Sequence, residues 1–137
     1  MLTQKFINQL SYEIVGCAIE VHKQLGPGLL ESVYETCMTE ELKLHDLRVL
    51  RQLPVPIKYK KKNLGTKLVL DLLIEDLIIV ELKAAEVLIP VYKAQLLSYL
   101  KLTGRPKGLL INFNTENITK DLIPLVTEEF AKLPKNN

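Results

Sequence analysis

Apolar residues recur at helical spacing through the first third of the chain. A run of apolar positions every three or four residues predicts a helix over about 3–25. Its members are Phe6, Leu10, Ile14, Cys17, Val21 and Leu25. Gly26-Pro27-Gly28 ends this helix, because glycine suits a helix terminus and proline cannot continue one. A second helical pattern, about 29–45, brings Glu31 and Tyr34 onto one face.

The middle of the chain changes to a two-residue period, which is typical of strands. Val55, Ile57 and Tyr59 form one apolar face, and the adjacent Pro54 and Pro56 indicate an edge strand or a strand start. Two dense apolar runs follow within 67–85, joined by a short acidic turn, and they predict two further strands covered on both faces.

The last third predicts a helix, a strand and a closing helix. The helix begins at Pro90, and its expected apolar stripe is Val91, Ala94, Leu97 and Leu100. A short buried strand follows at 109–113, and an amphipathic helix is expected over about 121–132. The order therefore predicts an α/β (α+β) fold with a four-stranded mixed sheet, in which a three-strand meander and one crossover strand are flanked by helices.

Composition adds few constraints to this picture. A chain of 137 residues that is 47% hydrophobic and 25% charged is expected to form one domain over 1–137. The net charge of +2 does not by itself predict a nucleic-acid partner. Cys17 and Cys37 lack metal-binding spacing, and neither a signal peptide nor a membrane-length apolar run is evident, so we expect free thiols in a cytoplasmic protein without membrane association.

Three charged residues interrupt the most apolar part of the chain. Asp71 lies in the second predicted strand, and Glu81 and Lys83 lie two residues apart on one face of the third. A two-residue 75–76 loop would pair Asp71 with Val80 and turn Glu81 away. A three-residue 75–77 loop, or an equivalent bulge, would place Asp71 directly opposite Glu81.

Two opposed carboxylates repel each other unless a cation lies between them. Hard oxygen ligands at this spacing suit Mg²⁺ or Mn²⁺, so we expect Asp71 and Glu81 to bind the metal and Lys83 to act beside it on a water or a phosphate oxygen. The simpler alternative is a cross-strand salt bridge between Lys83 and a carboxylate, without any chemistry.

A basic segment precedes this acidic pair. Between Asp46 and Asp71 there is no acidic residue, whereas lysines cluster near the predicted hairpin tip and include Lys58 and Lys60. Such lysines are ordinarily only solvated, but beside a metal site they also suit the neighbouring phosphates of a phosphodiester substrate.

The sequence also resembles a known family. Gly28-Leu29-Leu30-Glu31-Ser32-Val33-Tyr34 is similar to the motif that names the GxxExxY proteins, and the likeness continues through 80–84, 94–100 and 110–113. That family belongs to the PD-(D/E)XK nuclease-like superfamily, whose restriction-endonuclease-like core is a helix, three strands, a helix and a strand. One departure is Leu70, which stands where the superfamily motif has proline.

The resemblance implies roles for further residues. It implies that Asp71, Glu81 and Lys83 are the motif's catalytic residues, and that Glu31 is a further acid that reaches the metal directly or through water. It also implies that the Leu82 carbonyl is a metal ligand. Gln95 and Tyr99 match a pattern found next to such sites, where they contact substrate or hold Lys83.

The leading hypothesis is therefore a metal-dependent nuclease that hydrolyses phosphodiester bonds of DNA, with RNA as the less favoured substrate. The first alternative is a catalytically inactive nucleic-acid-binding module on the same fold. The second is a protein-interaction subunit, since so compact a domain suits a homodimer or a larger assembly.

Overall fold

A computed structural model describes residues 1–136. The helices are α1 (Gln4–Leu25), α2 (Glu31–Leu44), α3 (Pro90–Thr103) and the single turn α4 (Glu128–Ala131). The strands are β1 (Val49–Tyr59), β2 (Lys62–Ile74), β3 (Ile78–Lys83), β4 (Lys107–Asn112) and β5 (Leu122–Val126). The predicted first three helices are thus confirmed to within a few residues.

One mixed sheet connects the strands in the order β1-β2-β3-β4-β5. The first three form the predicted antiparallel meander, and β4 lies parallel to β3 after the α3 crossover. A fifth strand, β5, pairs antiparallel with β4, so the sheet has five strands and not the four expected.

The closing helix predicted over about 121–132 is wrong. The chain forms a 3₁₀ turn at Ile118–Lys120, then β5, and only one helical turn at α4. Pro124 explains the difference, because proline disrupts a helix interior but is tolerated in an edge strand. β5 is such an edge, and it covers the backbone of β4 that would otherwise be open.

Helices cover both faces of the sheet. α1 and α2 bury Ile14, Tyr34 and Met38 in one core with Val80 and Ile111, among others. On the opposite face, Leu96 and Leu100 of α3 pack in a second core, mainly with Leu70, Leu73, Ile79 and Leu110.

The orientation of α3 differs from the expected stripe. Leu96 and Leu100 are its buried residues, whereas Val91 and Ala94 are exposed. α3 approaches the sheet closely at Gly108, where an added Cβ would lie 3.0 Å from the Leu96 side chain.

No helix among residues 1–136 is long and apolar enough to span a membrane.

Candidate active site

The β2–β3 hairpin has the register of the three-residue loop. Ile74 pairs with Ile78 and Leu72 with Val80, so Asp71 comes directly opposite Glu81. The regular pairing stops at Leu72, and from there side chains connect the strands. The Asp71 carboxylate accepts a hydrogen bond from the Leu82 N–H at 2.9 Å, and the Asp71 N–H donates to Glu81 Oε1 at 3.3 Å.

The backbone pairing between β1 and β2 is also interrupted at Asp71. Arg51 pairs with Leu72 and Leu53 with Leu70, but the intervening Gln52 and Asp71 form no backbone pair. Gln52 has a left-handed backbone, with φ of 50°, which is unfavourable for a residue with a side chain. Such a conformation in mid-strand is often found where function requires it.

The side chain of Gln52 links two acids across this gap. Its Nε2 donates to Glu35 Oε1 on α2 and, at 3.4 Å, to Asp71 Oδ1. Glu35 is buried and also forms an ion pair with Arg51 at 3.0 Å. Arg51 compensates the charge of Glu35, which makes the burial of this carboxylate tolerable. Glu35 accepts a hydrogen bond from Gln52, and Gln52 donates a second, longer one to Asp71.

Sequence reasoning missed both Glu35 and Gln52. Glu35 lies four residues after Glu31 and therefore on the same helix face, which was a usable signal. Gln52 offered no comparable signal, because its position depends on the gap in the β1–β2 pairing.

Glu31 is the first residue of α2. Tyr34 fixes the loop that leads into this helix. The Tyr34 hydroxyl donates to the Gly26 carbonyl at 2.6 Å and accepts from the Leu29 N–H at 3.2 Å. Gly28 has φ of 98°, a conformation that side chains rarely adopt. The glycine and tyrosine of the motif thus set the position from which Glu31 begins the helix.

A cavity of about 230 Å³ joins these residues. It is lined by Glu31, Ser32, Glu35, Gln52, Asp71 and Leu82. The structure therefore brings the predicted Glu31 and Leu82 to the same opening as Asp71. The N–H of Leu82 is bound to Asp71, and a metal contact by its carbonyl stays a prediction.

Lys83, two residues after Glu81 on β3, contacts α3. Its Nζ sits 4.4 Å from the ring centroid of Tyr92 on α3, a cation–π contact. Among residues 1–136 no ion pair within 4.0 Å joins Lys83 to Asp71 or Glu81. The alternative of a simple cross-strand salt bridge is therefore not what the structure shows.

A comparison with known protein families assigns the chain to one of them. A family model described as the PD-(D/E)XK nuclease superfamily matches residues 8–123. The chain belongs to the PD-(D/E)XK nuclease superfamily. No significant match was found among curated proteins or among solved structures.

The order α2, β1, β2, β3, α3, β4 gives this member of the superfamily a restriction-endonuclease-like fold. The additions are α1, which packs on α2, and the C-terminal strand β5 beside β4. The opened row of Gln52, Asp71 and Glu81 crosses three adjacent strands of that fold.

The acidic pair of this superfamily member is under electrostatic strain. The pKa of Glu81 is raised to about 9, mainly by burial and then by the charge of Asp71 and a hydrogen bond with its side chain. The backbone hydrogen bond from Asp71 and the charge of Lys83 oppose this rise. At neutral pH and without a cation, Glu81 therefore carries a proton that relieves its repulsion with Asp71. A divalent ion can replace that proton.

Gln95 and Tyr99 flank the pair from α3. Gln95 Nε2 donates to the Tyr99 hydroxyl at 2.8 Å. Burial, followed by the charge of Glu81, raises the pKa of Tyr99, so its hydroxyl stays protonated and can donate toward the acids or a substrate. The contact between Gln95 and Tyr99 confirms that the two lie together, as their spacing predicted, and their contact with substrate or Lys83 stays a prediction.

Lys58 and Lys60 are remote from the pair of Asp71 and Glu81. Both are exposed, and Lys60 forms the two-residue β1–β2 turn with Lys61. Six and eight residues separate them from Gln52, which is about 20 and 26 Å along an extended strand. They cannot contact a phosphate bound at Asp71, and any substrate contact would be with a distant part of the nucleic acid.

Proposed function

We propose that the protein is a Mg²⁺- or Mn²⁺-dependent nuclease of the GxxExxY group that hydrolyses phosphodiester bonds of DNA. The observation that carries this proposal is the opposed pair of Asp71 and Glu81, a partly buried acid and a buried one without a basic partner within ion-pair distance among residues 1–136. The superfamily generally uses divalent metals, and the residues present suit one.

Asp71 and Glu81 would hold the cation, and Glu31 would reach it directly or through water. The donor set consists of carboxylate oxygens, which Mg²⁺ and Mn²⁺ prefer. Glu35 is excluded from this set because Arg51 and Gln52 already occupy its oxygens. A cation bound there supplies Lewis acidity toward a phosphoryl oxygen.

The remaining residues act on the substrate and on the attacking water. The Lys83 ammonium, which contacts the Tyr92 ring, would donate to that water or to a phosphate oxygen that gains charge in the reaction. The Tyr99 hydroxyl, fixed by Gln95, orients Lys83 or donates to a phosphate oxygen. Gln52 keeps Asp71 in place throughout.

DNA is favoured as the substrate by the shape of the basic hairpin. β1 and β2 extend for 11 and 13 residues, and the end beyond the acidic row carries exposed lysines, namely Lys58, Lys60, Lys61, Lys62 and Lys67. An arm of this length can follow the phosphates of a duplex away from the bond that is cut. The chain has no Trp, which disfavours a surface for stacking single-stranded bases.

Cleavage of plasmid DNA, single-stranded DNA and RNA with Mg²⁺, Mn²⁺ or EDTA tests the proposal. The rate is expected to fall by about 100-fold or more in Asp71→Asn and in Lys83→Ala. Asp46→Asn and Lys93→Ala, which alter exposed residues elsewhere, are matched controls that should cleave normally. Wild-type rates in both site variants would overturn the proposal, and salt-dependent binding without cleavage would indicate the inactive binding module.

A further inference from the structure

A group of side chains of metal-ligating types lies between α1 and the end of α2. One ligand atom each from Cys17, Glu41 and His45 lies within 4.8 Å of the others. Cys17 belongs to α1, Glu41 to α2, and His45 is the residue that ends α2. Thiol, carboxylate and imidazole together form a mixed sulfur, oxygen and nitrogen donor set.

A fourth side chain completes the group. His45 Nε2 lies 3.2 Å from Glu41 Oε2, and His45 Nδ1 lies 3.6 Å from Glu13 Oε2. Glu13 and Cys17 are four residues apart on α1, and Glu41 and His45 are four apart at the end of α2. Two pairs at one-turn spacing therefore face each other across the helix interface.

This group is separate from the proposed nuclease site. Glu31 begins α2 and His45 follows its last residue, so the two are 14 positions, or about 21 Å of helix, apart. None of the four side chains lines the cavity at Asp71. A metal at this group would therefore be independent of the proposed nuclease function.

We propose that Cys17, Glu41 and His45 bind a transition-metal ion of the zinc class, with Glu13 holding the second ring nitrogen of His45. Zinc accepts sulfur, nitrogen and oxygen ligands in one site, whereas Mg²⁺ avoids thiolates. A histidine that binds a metal through one nitrogen normally gives its other N–H to a carboxylate or carbonyl, and Glu13 is placed for that role.

The surroundings favour a cation. The carboxylates of Glu41 and Glu13 lie beside His45, at 3.2 and 3.6 Å from its ring nitrogens, and bring negative charge to the group. His45 also lies at the C-terminal end of α2, where the helix dipole favours positive charge. Cys17 is buried, but the Glu41 and His45 side chains are 22% and 38% exposed, which leaves a route for an ion.

Co²⁺ titration of the full chain carrying Asp71→Asn and Glu81→Gln tests the site without interference from the acidic row. Co²⁺ bound to a thiolate gives a charge-transfer band in the near ultraviolet, and Zn²⁺ is expected to displace it. Cys17→Ser should abolish the band, whereas Cys37→Ser, at the other cysteine, should keep it. His45→Asn should weaken binding by at least about tenfold, and Glu13→Gln by less.

The outcomes separate this site from the nuclease. Absence of the band in excess Co²⁺, its persistence in Cys17→Ser, or unchanged affinity in His45→Asn would each refute the proposal. The His45 side chain is partly exposed, so His45→Asn decides the question if Cys17→Ser does not fold. Mg²⁺-dependent cleavage should be unaltered in His45→Asn made in the otherwise unchanged chain, because the nuclease residues are untouched.

Discussion

Asp71 and Glu81 are each tied to the strand of the other. The Asp71 carboxylate accepts from the backbone of Leu82, next to Glu81, and the Asp71 N–H donates to Glu81 Oε1. These reciprocal bonds replace the regular strand pairing and hold two acids together that would otherwise repel. The proton on Glu81 relieves that repulsion, which makes the pair ready to exchange a proton for a metal ion.

Metal binding at this pair should release a proton. In calorimetric Mn²⁺ titrations near neutral pH, the measured heat should depend on the ionisation enthalpy of the buffer, because Glu81 gives up its proton as the ion binds. Asp71→Asn should lower the affinity by at least about tenfold, and Asp46→Asn should not. Heats that are equal in all buffers would contradict the protonated state of Glu81.

The same proton makes the stability of the metal-free protein depend on pH. The pKa of Glu81 rises from an ordinary 4.5 to about 9 on folding, so between these values the folded state holds a proton that the unfolded chain has lost. The free energy of unfolding should therefore decrease as pH rises through this interval.

Urea unfolding in EDTA between about pH 5 and pH 8.5 measures this slope. Glu81→Gln should flatten it, since glutamine does not titrate, and should be more stable than the wild type at the alkaline end. Equal slopes in the two proteins would show that Glu81 is ionised in the folded state. At the alkaline end, added Mn²⁺ should raise the free energy of unfolding of the wild type but not that of Glu81→Gln.

The meeting of Asp71 and Glu81 could be predicted from the sequence, because charges within apolar strands are conspicuous. The hairpin register was reduced to two alternatives, and the structure has the three-residue loop. Gln52 could not be predicted, because its left-handed backbone accompanies a local gap in the β1–β2 pairing that the residue types around it do not indicate.

In the C-terminal segment, the amphipathic pattern predicted a helix that does not form. Pro124, inside the amphipathic pattern of 121–132, is a local signal against a helix. The edge of β4 needed covering, and this tertiary requirement decided the conformation. Local periodicity does not report such long-range pairing.

Gln52 allows its backbone and side-chain contributions to be separated. Gln52→Gly suits the positive φ but removes the amide that holds Asp71, so stability should stay close to wild type while the cleavage rate falls about 10- to 100-fold. Gln52→Ala should lose the same activity and, in addition, stability, because alanine retains the backbone strain. Full activity in Gln52→Gly, measured with urea unfolding as the second readout, would remove Gln52 from the site.

Tyr34→Phe tests the loop that presents Glu31. The variant loses the hydrogen bonds to Gly26 and Leu29 but keeps the ring stacked on Phe113 at 4.6 Å. We expect a loss of about 1 to 3 kcal/mol in the free energy of unfolding, with a lower cleavage rate at saturating metal. Tyr12→Phe, at an 83% exposed tyrosine, should change neither quantity.

The hairpin lysines should affect binding and leave the chemical step unchanged. Lys58 and Lys60 lie about 20 Å or more from Gln52 along the strand, so replacing both with alanine should raise KM and leave kcat unchanged. In the Asp71→Asn background, where binding is measured without cleavage, the slope of log affinity against log salt should decrease by about 2.

A matched control replaces Lys5 and Lys23, which are equally exposed but lie on α1. If both double variants alter the slope alike, the effect is one of net charge, and the hairpin is not a nucleic-acid contact. A change confined to Lys58 and Lys60 would place the DNA along the β1–β2 arm. Because single strands give a smaller slope per phosphate than duplexes do, comparing the two DNA forms also shows which one the arm follows.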